Sequence, residues 1–408
     1  MVADIFDYFS AEFRNDPYAV YRRVRATNPV HHGLPFDEGG APAWHVLRHA
    51  DILQALKDHR LTHHASEPEG DAALSLADPI ALFGALARQS LLFNDPPSHT
   101  RLRGLVSAVF TPRMIDGLRP RIGAIADALL AEAATRGELD IVSDYALPLT
   151  LTLIAEMLGV PAEAKPRLSQ WARVLVRAVD CKRAEEIGPA YERAAATCLD
   201  IFGYFSELLA EKRAHPGADL LSKLLVAHQQ EDRLSEQELI VTATTLLMAG
   251  HETTVNLIGN GMLLLLQHPD QMRLLTENPA LITPAIEEFL RFHSPSQMAS
   301  RYVTTEIKLG GTVIPSGQVV NLVLGAGNHD PDVFADPERC DITRTGPRHL
   351  AFGMGIHYCL GAPLARLESA IAIPRLLARF PGLRLSQTAP VWRETISFRG
   401  LEGLSVVW

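Results

Sequence analysis

Residues 349–380 read HLAFGMGIHYCLGAPLARLESAIAIPRLLARF, and this stretch decides the fold. Gly353 and Gly355 favour a loop that ends at Cys359, just before a helix with Pro363 in its first turn. Apolar residues then repeat at helical spacing, at Leu360, Leu364, Leu367 and Ile371. The free N–H groups and the positive dipole end of a helix favour a thiolate over a thiol. The sequence therefore predicts an anionic sulfur ligand at position 359.

A lone cysteine more often serves as a small buried hydrophobic residue. The glycines before Cys359, the His357-x-Cys359 spacing and the apolar helix after it favour the ligand instead. The other cysteines lie at positions 181, 198 and 340 and form no CxxC pair. A disulfide framework and a structural zinc site are therefore not expected.

Composition places the chain among ordinary globular proteins. Its 408 residues are 47% hydrophobic and 21% charged, with a formal net charge of −9 that disfavours general binding to nucleic acid or anionic membranes. The start, MVADIFDYFSAEF, lacks the basic region of a secretory signal, and the longest apolar runs are shorter than the roughly 20 residues of a membrane span. We expect a soluble, cytoplasmic protein that binds neither nucleic acid nor membranes.

Helical patterns dominate the chain from about residue 97 to 293 and after Cys359. Strand-like segments lie near residues 25–50, 300–325 and 383–408. Residues 301–324 contain GG and PSG turns and predict a hairpin, and residues 396–408 predict a second one. The fold class is therefore mainly α with small β-sheets (α+β), and residues 1–408 are expected to form a single domain.

One helix is predicted to be unusually long. Ser235 and Glu238 have the spacing of a capping box, and the helical pattern continues until His268 and Pro269. The helix is apolar nearly all round, so it should pass through the protein centre. Its middle reads AGHETT (249–254), where glycine and the threonines permit a local bulge.

The AGHETT segment has two interpretations. In the structural one, Gly250 permits close packing and the Thr253 hydroxyl bonds back to a carbonyl, which is the commoner role of such residues. Glu252 favours the functional one, because a carboxylate inside a buried helix is costly unless it is paired, hydrated or useful.

At these residues the sequence resembles the cytochrome P-450 superfamily, specifically its soluble bacterial members. The resemblance covers essentially the whole chain, with Cys340 standing where the family usually has Phe. It implies the family's triangular α-rich body with a β-rich subdomain and a long central helix. The matching motifs occur in the family's order: DPPSHTRLR (95–103), AGHETT (249–254), EEFLR (287–291), FADPER (334–339) and FGMGIHYCLGAPLAR (352–366).

The resemblance also implies a site. The cofactor is heme b (iron protoporphyrin IX), with the Cys359 thiolate as iron ligand, and Glu252 and Thr253 form the acid–alcohol pair that delivers protons for oxygen activation. Cations and donors at the haem propionates would come from His99, Arg103, Arg301 and His357, and further cofactor contacts from Ala249, Gly250, Phe352 and Gly361. Glu288 and Arg291 form the family's structural ion pair, with Arg339 as its third partner.

Substrate contacts follow from the resemblance with less detail. A mainly hydrophobic pocket suits a secondary-metabolite, terpenoid or fatty-acid-like molecule. For Met298 and Phe398 a role in the core is an equally good interpretation. The implied pocket residues are Leu92, Phe93, Thr245, Ala249, Gln297, Met298, Ile396, Ser397 and Phe398.

The activity implied is a haem-thiolate monooxygenase that inserts one atom of O2 by hydroxylation or epoxidation. The sequence contains no GxGxxG fingerprint, so electrons should come from a ferredoxin or flavodoxin with an NAD(P)H-dependent reductase. Such partners are acidic, which predicts a basic patch with Arg101, Arg113 and Arg366 on a monomeric protein. Two alternatives stay open: a peroxide-driven haem peroxygenase, and a haem-binding sensor or carrier without turnover.

Overall fold

The computed structural model describes residues 8, 10–33, 41–64, 84, 86–180, 184–227, 234–386 and 391–408. Parts of the predicted segments, including residues 1–7, 34–40, 181–183, 228–233 and 387–390, lie outside the described residues. The chain divides into two compact units. The first comprises Met1–Ala65, Arg119–Leu149 and Thr253–Trp408, and the second Ser66–Leu118 and Thr150–Glu252.

Helices are the commonest regular element of both units, as the sequence predicts for most of the chain. The described α-helices are α1 (Ala11–Asn15), α2 (Pro17–Thr27), α3 (His49–Ala55), α4 (Ser98–Val109), α5 (Pro112–Asp116), α6 (Arg119–Ala133), α7 (Leu147–Leu158), α8 (Lys165–Asp180), α9 (Ala184–Ala214), α10 (Leu220–Ala227), α11 (Glu236–Gln267), α12 (Pro269–Glu277), α13 (Ile282–Phe292), α14 (Leu324–Gly327) and α15 (Ala362–Arg379). A π-helical turn, Ile141–Ala146, precedes α7.

The described strands all belong to the first unit. They are β1 (Val30–Gly33), β2 (Ala43–Val46), β3 (Leu61–Thr62), β4 (Glu138–Asp140), β5 (Ala299–Val303), β6 (Ile307–Leu309), β7 (Thr312–Ile314), β8 (Val319–Leu322), β9 (Arg384–Leu385), β10 (Val391–Trp392), β11 (Leu401–Gly403) and β12 (Ser405–Val407). The largest sheet has five strands in the order β1-β2-β8-β5-β3, and only the β2–β8 pair is parallel.

One predicted hairpin is confirmed. β6 and β7 pair antiparallel around Gly310 and Gly311, whose φ angles of 54° and 85° lie in the left-handed region that glycine adopts without strain. β5 and β8 then pair antiparallel outside them, with Arg301 opposite Val320. The GG and PSG signals of the sequence therefore mark real turns.

The second predicted hairpin is wrong. β11 pairs with β10, whereas β12 pairs with β4 and β9. Leu404, which separates β11 from β12, is buried, and its N–H donates to Asp140 Oδ2 (2.9 Å) while its carbonyl accepts from Ile141 N–H (2.9 Å). These bonds to the β4 end carry the chain from one sheet into another, so it does not turn back on itself.

The long helix α11 begins as predicted. Glu238 Oε2 accepts from Ser235 N–H (2.7 Å) and Ser235 Oγ accepts from Glu238 N–H (3.1 Å), which is a capping box. The helix has 32 residues, about 48 Å at 1.5 Å per residue. It stays α-helical through Gly250, so the bulge that the sequence permits is not formed in this described segment.

Glycine permits a close helix contact in the first unit. A Cβ at Gly261 would lie 2.7 Å from Phe289 Cδ2, so α11 and α13 can touch only because residue 261 has no side chain. Below this contact, Asn260 Nδ2 donates to the carbonyls of His293 (3.1 Å) and Arg399 (3.0 Å). The carboxyl-terminal half of α11 is thus fixed to α13 and to the chain before β11.

Among the described residues, one helical stretch, Ile141–Leu158, has the length and hydropathy of a membrane-spanning segment. Its residues are 67% buried within the protein. Burial of this kind is typical of a core helix in a soluble protein, whose apolar surface is covered by other parts of the same chain.

Candidate functional site

The loop before α15 places Cys359 at the helix start. Cys359 N–H donates to the Phe352 carbonyl (2.9 Å), which closes the loop. Gly353 and Gly355 have φ angles of 66° and 73°, and a Cβ at Gly355 would lie 2.5 Å from the Leu56 carbonyl oxygen. Glycine at position 355 is therefore required both by the backbone angle and by the close approach of Leu56.

The thiol of Cys359 lies near the first turn of α15. A Cβ at Gly361 would be 3.9 Å from Cys359 Sγ, so the small residue keeps the space beside the sulfur open. Ala362 N–H points back to the Cys359 carbonyl at 3.4 Å. The amino-terminal end of this 18-residue helix carries free N–H groups, which favour negative charge on the half-buried Cys359 beside it.

Two further predicted cofactor residues belong to the same unit. Arg301 lies on β5, is half-buried, and donates through Nη1 to the Ser300 carbonyl (2.8 Å). His357 is half-buried in the 3₁₀ turn Gly355–His357, with its ring edge-on to His63 at 4.6 Å between centroids. Both are basic groups, Arg301 on a strand of the five-stranded sheet and His357 in the loop that precedes Cys359.

Helix α4 of the second unit carries the other predicted basic residues. His99 is buried and Arg103 is half-buried, and they lie four residues apart on one face. Burial, and then the charge of Arg103, lower the pKa of His99. His99 is therefore neutral at pH 7 and can act as a hydrogen-bond donor, while Arg103 supplies the positive charge.

The middle of α11 presents small residues to open space. Ala249 is exposed although its neighbours Leu247 and His251 are buried, and a Cβ at Gly250 would meet only Ile154 Cδ1, at 3.7 Å. Glu252 is half-buried. An exposed alanine in the middle of a long apolar helix leaves room beside that helix, as a bound cofactor or substrate requires.

The residues present fit haem. In the first unit, the half-buried Cys359 just before a helix can supply the ligand sulfur. In the same unit, Arg301 and His357 can supply positive charge or hydrogen-bond donors for carboxylates.

Several predicted substrate contacts lie in the core instead. Gln297 is buried, and its Nε2 donates to the Ser294 carbonyl (2.7 Å) and to Tyr18 Oη (3.3 Å). Met298 and Ile396 belong to the cluster of buried residues beneath α2. For Met298 and Ile396 the structure favours the core interpretation, because an apolar residue has the same sequence signal in a core and in a pocket wall. The Gln297 amide is held by its hydrogen bonds to neighbouring core groups.

The remaining predicted substrate residues keep accessible surface. The Thr245 hydroxyl donates to the Val241 carbonyl (2.7 Å), so this polar group is satisfied within its helix. Leu92 is 44% exposed. The half-buried members of the set are Phe93, Thr245, Ser397 and Phe398.

Glu288 and Arg291 form a buried ion pair, with 2.7 Å between Arg291 Nε and Glu288 Oε2 and 2.8 Å between Arg291 Nη2 and Glu288 Oε1. The predicted third partner is wrong: Arg344 Nε contacts Glu288 Oε2 at 3.1 Å, whereas Arg339 contributes its carbonyl oxygen to Arg291 (3.3 Å) and has an exposed side chain. The backbone of Arg339 faces the pair, which turns its guanidinium away. Cys340 is buried, consistent with a packing role where the family has Phe.

Sequence reasoning missed Glu368. This residue lies on α15, is 1% exposed, and its carboxyl group forms a side-chain hydrogen bond with Thr254, the neighbour of Thr253. Burial raises the pKa of Glu368 well above its usual value, so the protonated form of this carboxyl group is favoured in the folded protein. An acid within the apolar stripe 364–371 was the available signal.

Comparison with known proteins gives one consistent family. The family model described as Cytochrome P-450 matches residues 81–393. Vitamin D(3) 25-hydroxylase of Pseudonocardia autotrophica is 44% identical over 98% of this chain and 96% of its own length, and 6-deoxyerythronolide B hydroxylase of Saccharopolyspora erythraea is 38% identical over 98% of both. The crystal structure of P450BioI with an acyl carrier protein bearing hexadec-9Z-enoic acid has a TM-score of 0.89 at 38% identity, covering 98% of this chain and 100% of that one.

Proposed function

Because the chain belongs to the cytochrome P-450 family, we propose that Cys359 is the residue whose thiolate binds the haem iron. The protein has the fold of that family and is a soluble haem-thiolate monooxygenase that uses O2, a small substrate and redox partners. The observation that supports Cys359 is its half-buried position just before the first turn of α15, at the end of a loop that requires glycine. Cys359→Ala should remove the thiolate signature from the spectrum of the reduced carbon monoxide complex, and a variant that keeps it would refute the assignment.

The proposed haem contacts use the chain's own charges. Arg103, Arg301 and His357 would bind the two propionates, with His99 as a neutral donor. Phe352, Ala249, Gly250 and Gly361 would contact the ring. The haem, when bound, supplies the oxygen-activating iron, and a thiolate ligand favours O–O cleavage. Arg103→Gln is expected to weaken haem retention on dialysis against apomyoglobin, and the matched change Arg173→Gln on α8 should not.

Proton delivery is proposed for Glu252 and Thr253, which are adjacent and half-buried on α11. The Thr253 hydroxyl can donate a proton towards the cavity, and Glu252 can replace it through water. Positioned proton donors commonly contribute about 10²–10⁴-fold to a rate. Thr253→Ala should therefore consume electrons without forming product.

Thr244→Ala is the matched control, because the Thr244 hydroxyl donates to the Ile240 carbonyl within the helix (2.8 Å). Its coupling of electrons to product should equal that of the wild type. Full coupling in Thr253→Ala would refute the proposed role. A comparison of turnover driven by peroxide with turnover driven by a ferredoxin system tests the peroxygenase alternative, which the hydroxylase relatives do not favour.

The proposed substrate is a hydrophobic secondary metabolite, terpenoid or fatty-acid-like molecule. Names of relatives support this choice, since they act on vitamin D(3) and 6-deoxyerythronolide B, and a similar structure of CYP267B1 holds myristic acid. Among the pocket residues, Phe93 and Phe398 offer half-buried apolar surface. A panel of macrolides, terpenoids and fatty acids should give a saturable shift of the haem spectrum with at least one class, and a panel with no shift would contradict the proposal.

The proposed redox partner is a ferredoxin or flavodoxin with its NAD(P)H-dependent reductase, acting on a cytoplasmic monomer. Two arginines of the predicted basic patch are already in ion pairs, Arg101 with Glu238 and Arg366 with Glu287. Arg113 is exposed and is the sharper probe. Arg113→Glu should slow reduction by an acidic ferredoxin without changing substrate affinity. The same change at the exposed Arg173 should leave the reduction rate unchanged. Equal reduction rates in the two variants would refute a role for Arg113.

A further inference from the structure

The EEFLR segment contains two acids with different environments. Glu288 is buried in the ion pair described above, whereas Glu287 faces the other side of α13 and is 37% exposed at its side chain. Both Glu287 oxygens accept from Arg366, at 2.6 Å from Nε to Oε1 and 2.8 Å from Nη2 to Oε2. Oε2 also lies 3.1 Å from His349 Nε2. A two-point contact of this kind fixes orientation as well as distance.

His349 connects Glu287 to the start of the ligand loop. Its Nδ1 accepts a hydrogen bond from Ala351 N–H (3.2 Å), so in the neutral ring the proton is on Nε2, which donates to Glu287. Ala351 immediately precedes Phe352, whose carbonyl accepts from Cys359 N–H (2.9 Å). The carboxylate therefore holds one end of the loop through a single side chain.

Arg366 connects Glu287 to the other end of the loop. Its Nη1 donates to Tyr358 Oη (3.2 Å), and its guanidinium lies over the Phe352 ring, 4.6 Å from the centroid. Tyr358 Oη also accepts from Arg348 Nη2 (2.8 Å). Tyr358 is the residue directly before Cys359, so two guanidinium groups hold the phenol next to the sulfur-bearing residue.

We propose that Glu287 and Tyr358 are positioning residues that fix both ends of the 351–358 loop and thereby hold the Cys359 sulfur in place for the iron. The inference rests on the proposed function of Cys359 as the iron ligand. It assigns Arg366 to the loop, where the sequence placed it in a docking patch for a redox partner.

Charge in the network is stable over the physiological range. Burial would by itself raise the pKa of Glu287, but the bonds from Arg366 and His349 outweigh it and lower the pKa to about 2. Glu287 thus stays ionised, and both of its partners keep an acceptor. A simple tie between α13 and α15 would need only the Glu287–Arg366 pair, whereas the contacts to Ala351, Phe352 and Tyr358 all lie on the loop.

The test uses the haem-loaded, full-length protein with Glu287→Gln, Tyr358→Phe and a matched control, Asp127→Asn. The control removes the Arg375–Asp127 pair (3.1 Å) on the same helix α15 but away from the loop. Each reduced protein is exposed to carbon monoxide at raised temperature. Conversion from the thiolate absorption band to the shorter-wavelength band of a lost thiolate is followed, with far-UV circular dichroism recorded in parallel.

Glu287→Gln should convert about tenfold faster than wild type, and Tyr358→Phe severalfold faster, as expected for lost hydrogen bonds to charged groups. Conversion should precede any loss of helix signal. Asp127→Asn should match wild type. In the double variant Glu287→Gln/Tyr358→Phe, the increase in conversion rate over wild type should be smaller than the product of the two single increases. Both substitutions act through Arg366, so their effects are not independent.

Two results would overturn the inference: conversion rates of both variants equal to that of Asp127→Asn, or conversion that only follows unfolding. Tyr358→Phe leaves the Glu287–Arg366 pair intact, so it remains informative if Glu287→Gln folds poorly. A wild-type protein without a thiolate band would instead refute the function of Cys359, which distinguishes failure of the premise from failure of the positioning role.

Discussion

Replacing Glu288 with glutamine tests how much the buried ion pair stabilises the protein. The carboxylate accepts from Arg291 at both oxygens, from Asp341 N–H at Oε1 (2.9 Å) and from Arg344 Nε at Oε2 (3.1 Å). An amide of the same size has one acceptor oxygen, so its NH2 group would face donors. The change therefore removes the charge and leaves donors without acceptors while keeping the volume.

The expected loss is large. Arg291 is 2% exposed and also donates to the carbonyls of Asn328 (3.0 Å) and Pro337 (2.9 Å), so it remains in place as a buried cation. Removing one partner of a buried pair costs about 3–5 kcal/mol. Arg344→Gln should cost less, about 1.5–3 kcal/mol, because Arg344 is 16% exposed and water can replace part of its contact.

Denaturant unfolding followed by circular dichroism measures both variants under the same conditions. The difference in free energy of unfolding from wild type should be at least 3 kcal/mol for Glu288→Gln and clearly smaller for Arg344→Gln. Equal losses in the two variants, or a loss below about 1 kcal/mol for Glu288→Gln, would refute the assignment of Glu288 as the central acceptor.

Three further changes concern pH and local contacts. Burial raises the pKa of Glu368, so the folded protein keeps a proton that the unfolded chain releases above pH 4.5. Stability should therefore fall by up to about 1.4 kcal/mol per pH unit as the pH rises above 4.5. Glu368→Gln should flatten this slope, and parallel slopes in the variant and the wild type would contradict the prediction. Burial lowers the pKa of His293 and His329, so the free energy of unfolding should fall as the pH falls below 6.5. His329→Gln should reduce this fall in acid unfolding, and an equal fall in the variant and the wild type would contradict the prediction. Asp140→Ala removes the acceptor of Leu404 N–H and the cap of the following π-helical turn. The free energy of unfolding in denaturant should fall by about 1–2 kcal/mol, and an unchanged value would contradict the capping role.

Local signals carried most of the successful predictions. The capping box at Ser235 and Glu238, the GG turn at Gly310 and the glycine-rich loop before Cys359 depend on neighbouring residues, and the structure shows each of these elements. The assignment to a family also rests on short segments of fixed spacing, which a single sequence displays completely.

Choices between distant partners were not accessible in the same way. Arg339 and Arg344 are similar residues five positions apart, and only the folded backbone decides which guanidinium reaches Glu288. The chain at Leu404 changes sheets because of bonds to β4, more than 260 positions earlier. The side-chain hydrogen bond of Glu368 likewise joins it to Thr254, which lies on a different helix. These outcomes follow from long-range contacts that periodicity does not encode.

The contact between Gly355 and the Leu56 carbonyl has a consequence for chimeric proteins. The Leu56 carbonyl oxygen leaves no room for a Cβ at position 355, so the end of α3 and the loop that carries the proposed ligand must fit each other closely. Recombinants that exchange the first sixty or so residues with a relative therefore need the α3 exit and the glycine loop from the same parent, and crossovers placed between them should yield protein that binds haem poorly.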